Sequence, residues 1–133
     1  MARDYLEKLK ELFETHIRFN AHLGMQINDL AQGTATIHIP YQPNWLGDPL
    51  RPALHGGLVS TLADTAGGIA VFTQLQPNTG QSFPKVSTVD LRIDYLRHGL
   101  PEDLLCTATV LRLGNRVGVT SMVVTQCDGT RVV

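Results

Sequence analysis

The stretch HGGLVSTLADTAGGIAVF, His55 to Phe72, decides how the rest of this chain is read. Leu58, Leu62, Ile69 and Phe72 recur at helical spacing among alanines and glycines, which predicts a helix from Gly56 to about Leu75. A helix this apolar has to be covered on most of its circumference. It carries one charge: Asp64 is the only Asp, Glu, Lys or Arg between Arg51 and Lys85. Asp is a poor helix-interior residue, and a buried carboxylate is costly without a partner. Asp64 therefore either reaches water or a loop donor, or has a chemical task.

Outward from this helix the periodicity changes. Met25 to Leu30 and Thr34 to Ile39 alternate in the strand sense around the Gln32-Gly33 turn. Pro40, Pro43, Pro49 and Pro52 make the stretch before His55 an irregular loop. After the turn cluster Pro77 to Gly80 come three long strand-like runs, Val86 to Arg97, Leu104 to Leu113 and Val117 to Cys127. Arg131 to Val133 opens one more. At the other end, Leu6, Leu9, Phe13 and Ile17 share one face of an amphipathic helix from Asp4 to about Asn20, closed near Gly24. Helices and strands segregated in this way predict an α+β fold, one apolar helix wrapped by a curved antiparallel sheet.

Length and composition bound the function. The 133 residues, 43% hydrophobic and 17% charged, fit one globular domain over 1–133 and exclude the disordered class. Eleven Lys and Arg against twelve Asp and Glu leave a net charge of −1, which argues against a general nucleic-acid binder. No apolar run reaches membrane-span length, and the charged N-terminus is unlike a signal peptide, so a cytoplasmic protein is expected. Cys106 and Cys127 have neither zinc nor CxxC spacing and read as reduced thiols.

The face of the helix that carries Asp64 is small and polar. Gly57 lies seven residues before it, about 10 Å along the axis, and Ser60, Thr61, Gly67 and Gly68 fall within a turn either way. Such a stripe allows close approach by a ligand or another backbone. At the helix start, His55-Gly56-Gly57 exposes backbone N–H groups at the positive end of the dipole, suited to an oxyanion or a thioester carbonyl. A donor and a carboxylate this far apart cannot serve one carbonyl carbon from the same helix. Two copies side by side, Gly57 of one facing Asp64 of the other, satisfy the distance.

These residues resemble the hotdog-fold acyl-CoA thioesterases of the phenylacetate-degradation (PaaI-like) type. HGGLVSTLADTAGGIA, His55 to Ala70, is similar to that family's HGG motif with an Asp in the central helix. STVDLRIDYLR, Ser87 to Arg97, resembles its first long strand after the helix, and LRLGNRVGVTSMVV, Leu111 to Val124, more weakly its later hairpin. The resemblance runs from about Leu23 to near the end of the sequence. It implies a hotdog fold of five to six strands, homodimers often paired into homotetramers, and hydrolysis of acyl-CoA. By position it makes Asp64 the general base or nucleophile, Gly57 N–H the group polarising the carbonyl, Thr88 the residue that helps to position water, and His55 the residue holding the helix start. Gly56, Thr61 and Gly68 fall at the substrate. No metal or other cofactor is implied, coenzyme A being part of the substrate. Relatives often have an Asn before HGG; here Pro49 or Leu50 stands there, with Asn44 and Asp48 as possible substitutes. The final strand, beginning at Arg131, is shorter than the resemblance implies.

Arg97 and Arg116, beside strand ends, are the first choices for coenzyme A phosphates among Arg92, Arg97, Arg112 and Arg116, each of which reads equally as solvated charge. Trp45 covers either the site entrance or a satellite apolar cluster. His16, His22, His38 and His98 lack metal-ligand spacing. Two other readings stand beside the thioesterase: an acyl-CoA binding or sensing module without turnover, and a hydroxyacyl dehydratase using His55 with Asp64.

Overall fold

Alternation at period two builds the sheet. In the computed structural model, which describes residues 2–75, 83–127, 129 and 132–133, four strands run β1 (Gln26–Ala31), β2 (Thr34–Ile39), β3 (Leu104–Leu113) and β4 (Gly118–Thr125). All neighbours are antiparallel, in the order β1-β2-β3-β4. On the inner face, Ala35 opposes Ala108, Ile37 opposes Cys106 and Ile39 opposes Leu104, all buried. Their neighbours Thr36, His38, Leu105 and Thr107 point the other way, as strand geometry requires. The β1–β2 hairpin closes at Gly33, whose φ of +86° favours a residue without Cβ. Burial holds the Cys106 thiol up, at about 12.

The apolar helix predicted from His55 onward is α3 (Gly56–Phe72), and it packs across β2, β3 and β4. It turns Leu58, Val59, Leu62, Ala63, Ala66, Ile69 and Ala70 into the core. Gly67 also faces the sheet: a Cβ there would stand 2.8 Å from Thr120 Oγ1 and 3.2 Å from Met122 Sδ. Thus Gly67 leaves the stripe expected around Asp64, while Ser60, Thr61, Asp64 and Gly68 stay half-buried on the outer side. Around Gly68, among the described residues, nothing lies within 4 Å of such a Cβ.

The N-terminal helix expected over Asp4 to Asn20 is broken. α1 (Ala2–Glu11) widens into a π turn at Leu12–His16, Ile17 is extended, and α2 (Arg18–Leu23) follows. Side chains take up the polar groups involved: Asn20 Nδ2 donates to the Phe13 carbonyl, and Glu14 Oε2 accepts from Ile27 N at 2.6 Å. Phe13 meets Phe72 edge-on, and Tyr5 donates to the Phe72 carbonyl, so this segment closes the far end of α3.

The run Val86 to Arg97 joins no ladder and bends at Val89 and Arg97, so the described residues contain four paired strands where five to six were expected. Its β-pattern is real, but a ladder needs a neighbour. Among the described residues, the one backbone bond along it is Leu96 N to Val132 O, at 2.9 Å. Val132 and Val133 in turn bond to Val124 of β4, bridging the segment to the sheet. Arg131 and the Pro77 to Gly80 turn lie outside the described residues.

Candidate active site

The site forms where the Val86 to Arg97 segment crosses the outer face of α3. Thr88 Oγ1 donates to Asp64 Oδ1 at 2.6 Å. Asp64 is half-buried and Thr88 exposed, so the carboxylate is oriented by a hydroxyl yet remains open to solvent or substrate. An apolar helix tolerates this carboxylate because it lies on the side away from the sheet and has a donor. Thr61, one turn earlier, donates back to the Gly57 carbonyl at 2.7 Å.

At the helix N-terminus the chain reaches His55 from an ordered loop. The His55 N–H donates to the Trp45 carbonyl, a short bridge pairs Leu46 with Leu54, and Leu54 N donates to Gly99 O. His55 is the N-cap, its Nδ1 accepting from Gly57 N at 2.8 Å. That contact changes the expected donor set. The Gly57 N–H already has an intramolecular acceptor, whereas the Gly56 N–H has none among the described residues. A Cβ on Gly57 would sit 2.8 Å from His55 Nδ1 and Cε1, so the imidazole fits only against a glycine.

A residue the sequence did not single out completes this end. The Tyr95 hydroxyl donates to the Gly56 carbonyl at 2.8 Å and makes a short hydrogen bond with Ser60 Oγ. No sequence signal pointed to it, because 39 residues separate Tyr95 from Gly56. A cleft of about 270 Å³ opens beside it, with Gly56, Tyr95, Arg97 and His98 on its polar side and Leu54 and Val59 among its apolar walls.

The other anticipated residues are scattered. Arg97 borders the cleft near the start of α3. Arg116 lies in the β3–β4 turn, beside Gly118, which packs on Val71 at the opposite end of α3. Fifteen helical residues, roughly 22 Å, separate Gly56 from Val71. One subunit therefore does not bring both arginines to the same phosphate. Asp48 is engaged locally, accepting from Leu50 N at 2.9 Å and Arg51 Nε at 2.6 Å, which hold its carboxyl below the usual range. Asn44 is exposed on the short Pro43–Trp45 turn. Trp45 is tied to Pro40 O through its indole N–H and packs beside His22 and the core. His38 bonds Asp103 and Gln26, and no metal-binding cluster of His, Cys, Asp or Glu occurs among the described residues. No helix among them is long and apolar enough to cross a membrane.

Comparison with known proteins gives this geometry a family. Residues 52–133 match the thioesterase superfamily. The chain is 32% identical over 126 residues to the Escherichia coli K12 protein named medium/long-chain acyl-CoA thioesterase YigI, covering 89% of this chain and 81% of that one. A Shewanella oneidensis protein related to the thioesterase superfamily superposes with a TM-score of 0.82 at 26% identity, over 98% of this chain and 91% of that one. The Escherichia coli PaaI protein from the phenylacetic acid degradation operon superposes with a TM-score of 0.78, over 98% and 86% of the two chains. At 23% identity that last likeness is one of fold. With its apolar helix laid on an antiparallel sheet and its HGG turn at the helix start, the chain belongs to the thioesterase superfamily and is a thioester hydrolase of the PaaI-type hotdog fold.

Proposed function

We propose that this hydrolase cleaves acyl-CoA thioesters to free acid and coenzyme A, at a site completed by a second copy of the chain. The observation that carries the reading is the Thr88–Asp64 hydrogen bond on the outer face of an otherwise apolar helix. Thr88 holds Oδ1, which leaves Oδ2 to accept a proton from water. The water oxygen attacks the thioester carbonyl carbon as its proton passes to Asp64. The C–S bond breaks, and the proton held on Asp64 passes to the departing coenzyme A thiolate.

The carbonyl oxygen is received at the start of α3. Gly56 N–H is the donor free to meet it, while Gly57 N–H stays on the His55 imidazole and holds the turn. Gly56 precedes Asp64 by eight residues, about 12 Å of helix, so the two groups come from different subunits. The Val86 to Arg97 segment beside the site supports such pairing. Val89 is 84% exposed and Leu96 60%, and among the described residues their segment makes one backbone bond, Leu96 N to Val132 O, a combination that favours a covering chain. In the assembly Arg97 receives a coenzyme A phosphate, with Arg116 supplied from another subunit, and Gly68 and Thr61 border the acyl group. The step as written uses no metal or redox cofactor. The Escherichia coli relative, named a medium/long-chain acyl-CoA thioesterase, makes medium and long acyl chains the first substrates to test.

The experiment is coenzyme A release from a ladder of straight-chain and phenylacetyl thioesters, by wild type and Asp64→Asn. The expected result is turnover by wild type that falls at least about a hundredfold in the variant, the scale of lost general-base help. A single turnover in ¹⁸O-water should put label in the first acid released. Binding of the ladder without turnover would replace this reading with a sensor. Turnover unaffected by the variant would remove Asp64 from the chemistry.

A further inference from the structure

We infer that Tyr95 is a positioning residue that locks the Gly56–Gly57 peptide group through its hydroxyl, fixing the carbonyl-binding end of the site and tying it to the segment that carries Thr88. The inference rests on the proposed use of this helix start as a carbonyl site, and goes beyond it by giving Tyr95 a role. Two contacts hold one peptide group, and a third braces the hydroxyl that makes one of them. Its C=O accepts from the Tyr95 hydroxyl at 2.8 Å, and its N–H donates to His55 Nδ1 at 2.8 Å. Ser60, one turn on, shares a short hydrogen bond with the same hydroxyl.

Two successive glycines would otherwise leave this turn with more freedom than any other residue pair. A peptide held on both its polar groups cannot flip, and bonds made in series through one amide strengthen each other. The ring itself packs on Gly56, where a Cβ would stand 3.4 Å from Tyr95 Cε1 and the hydroxyl oxygen. Tyr95 and Thr88 sit on the same segment, one holding the helix start and the other holding Asp64. The two ends of the site are thereby set by one piece of backbone.

The test is Tyr95→Phe, which keeps the ring and removes the hydroxyl, followed by steady-state kinetics and the ¹⁵N–¹H correlation spectrum. A neutral hydrogen bond that orients a catalytic donor predicts kcat down roughly three- to tenfold with KM within twofold. The Gly57 amide proton should move upfield as its bond to His55 weakens. Ser60→Ala leaves the bond to Gly56 in place, so it should change kcat less than twofold in wild type and not at all in the Tyr95→Phe background. Unchanged kcat, or a rise in KM alone, would overturn the role. If wild type turns over no thioester, the functional reading fails separately, and the Gly57 resonance decides whether Tyr95 holds this peptide. An unmoved Gly57 resonance would overturn the inference whatever the activity.

Discussion

Replacing Thr88 with Val removes one hydroxyl and almost no volume, and so isolates the hydrogen bond to Asp64. The bond is 2.6 Å long and its acceptor is a carboxylate, a class of bond worth about 1.5–3 kcal/mol. Thr88 is exposed and Asp64 only half-buried, which puts the value at the lower end, about 1.5 kcal/mol. At about 1.4 kcal/mol per factor of ten in rate, kcat should fall roughly tenfold. The same bond joins two parts of the fold, so unfolding free energy should fall as well, by up to about 1.5 kcal/mol. The assay is coenzyme A release under saturating substrate, with a urea unfolding curve on the same preparation. Thr88→Ser restores the donor and should recover most of the rate. A Thr88→Val enzyme within twofold of wild type, or a Thr88→Ser enzyme as slow as the valine variant, would refute the reasoning that this hydroxyl orients the base.

Two further expectations concern stability. Asp103 accepts from the Tyr41 backbone N–H and from His38, which hold its carboxyl below the usual range. Between that lowered value and the unfolded one near 4, the unfolded chain binds more protons, so stability is fully present above about pH 4 and drains away as pH falls through the folded value. Asp103→Asn should therefore flatten the acid limb of a Tm-against-pH curve, and an unchanged limb would show that the contact is not coupled to folding. The neighbouring glycines of α3 should respond oppositely to Ala. At Gly67 the new Cβ would meet Thr120 Oγ1 at 2.8 Å and cost about 1–3 kcal/mol, while at Gly68 it enters open space and should gain about 0.5–1 kcal/mol of helix propensity. Denaturant midpoints of the two variants check this, and the same sign for both would mean that α3 is rotated from its described position.

Much of this candidate site is legible in one helix and its flanks. Asp64 stood out because it is a lone charge among apolar neighbours, and the strand-like alternation before and after the helix matched β2 and β3 residue for residue. The resemblance added Thr88, which the fold brings to Asp64 across 24 residues of chain. Less was visible at the helix start. His55 and Gly57 both stand in the HGG motif, yet their mutual hydrogen bond depends on the rotamer of one imidazole, and it takes up the donor expected to be free. Asp48 looked available as a substitute polar group until its own loop was seen to satisfy it.

Periodicity is a local property, so composition and spacing alone determined that an apolar helix is packed under alternating strands, and which carboxylate is out of place. Partnership is pairwise and nonlocal. Val86 to Arg97 has the alternation of a strand, but whether it forms a ladder depends on what lies alongside. Gly67 and Gly68 are identical letters, and only the rotation of about 100° between successive helical residues sends one against Thr120 and the other into the open. Tyr95 and Gly56 are joined by a bond that exists because the chain turns back on itself between them. The tertiary structure decided these because folding chooses which distant polar groups satisfy one another, and no window of sequence contains both partners.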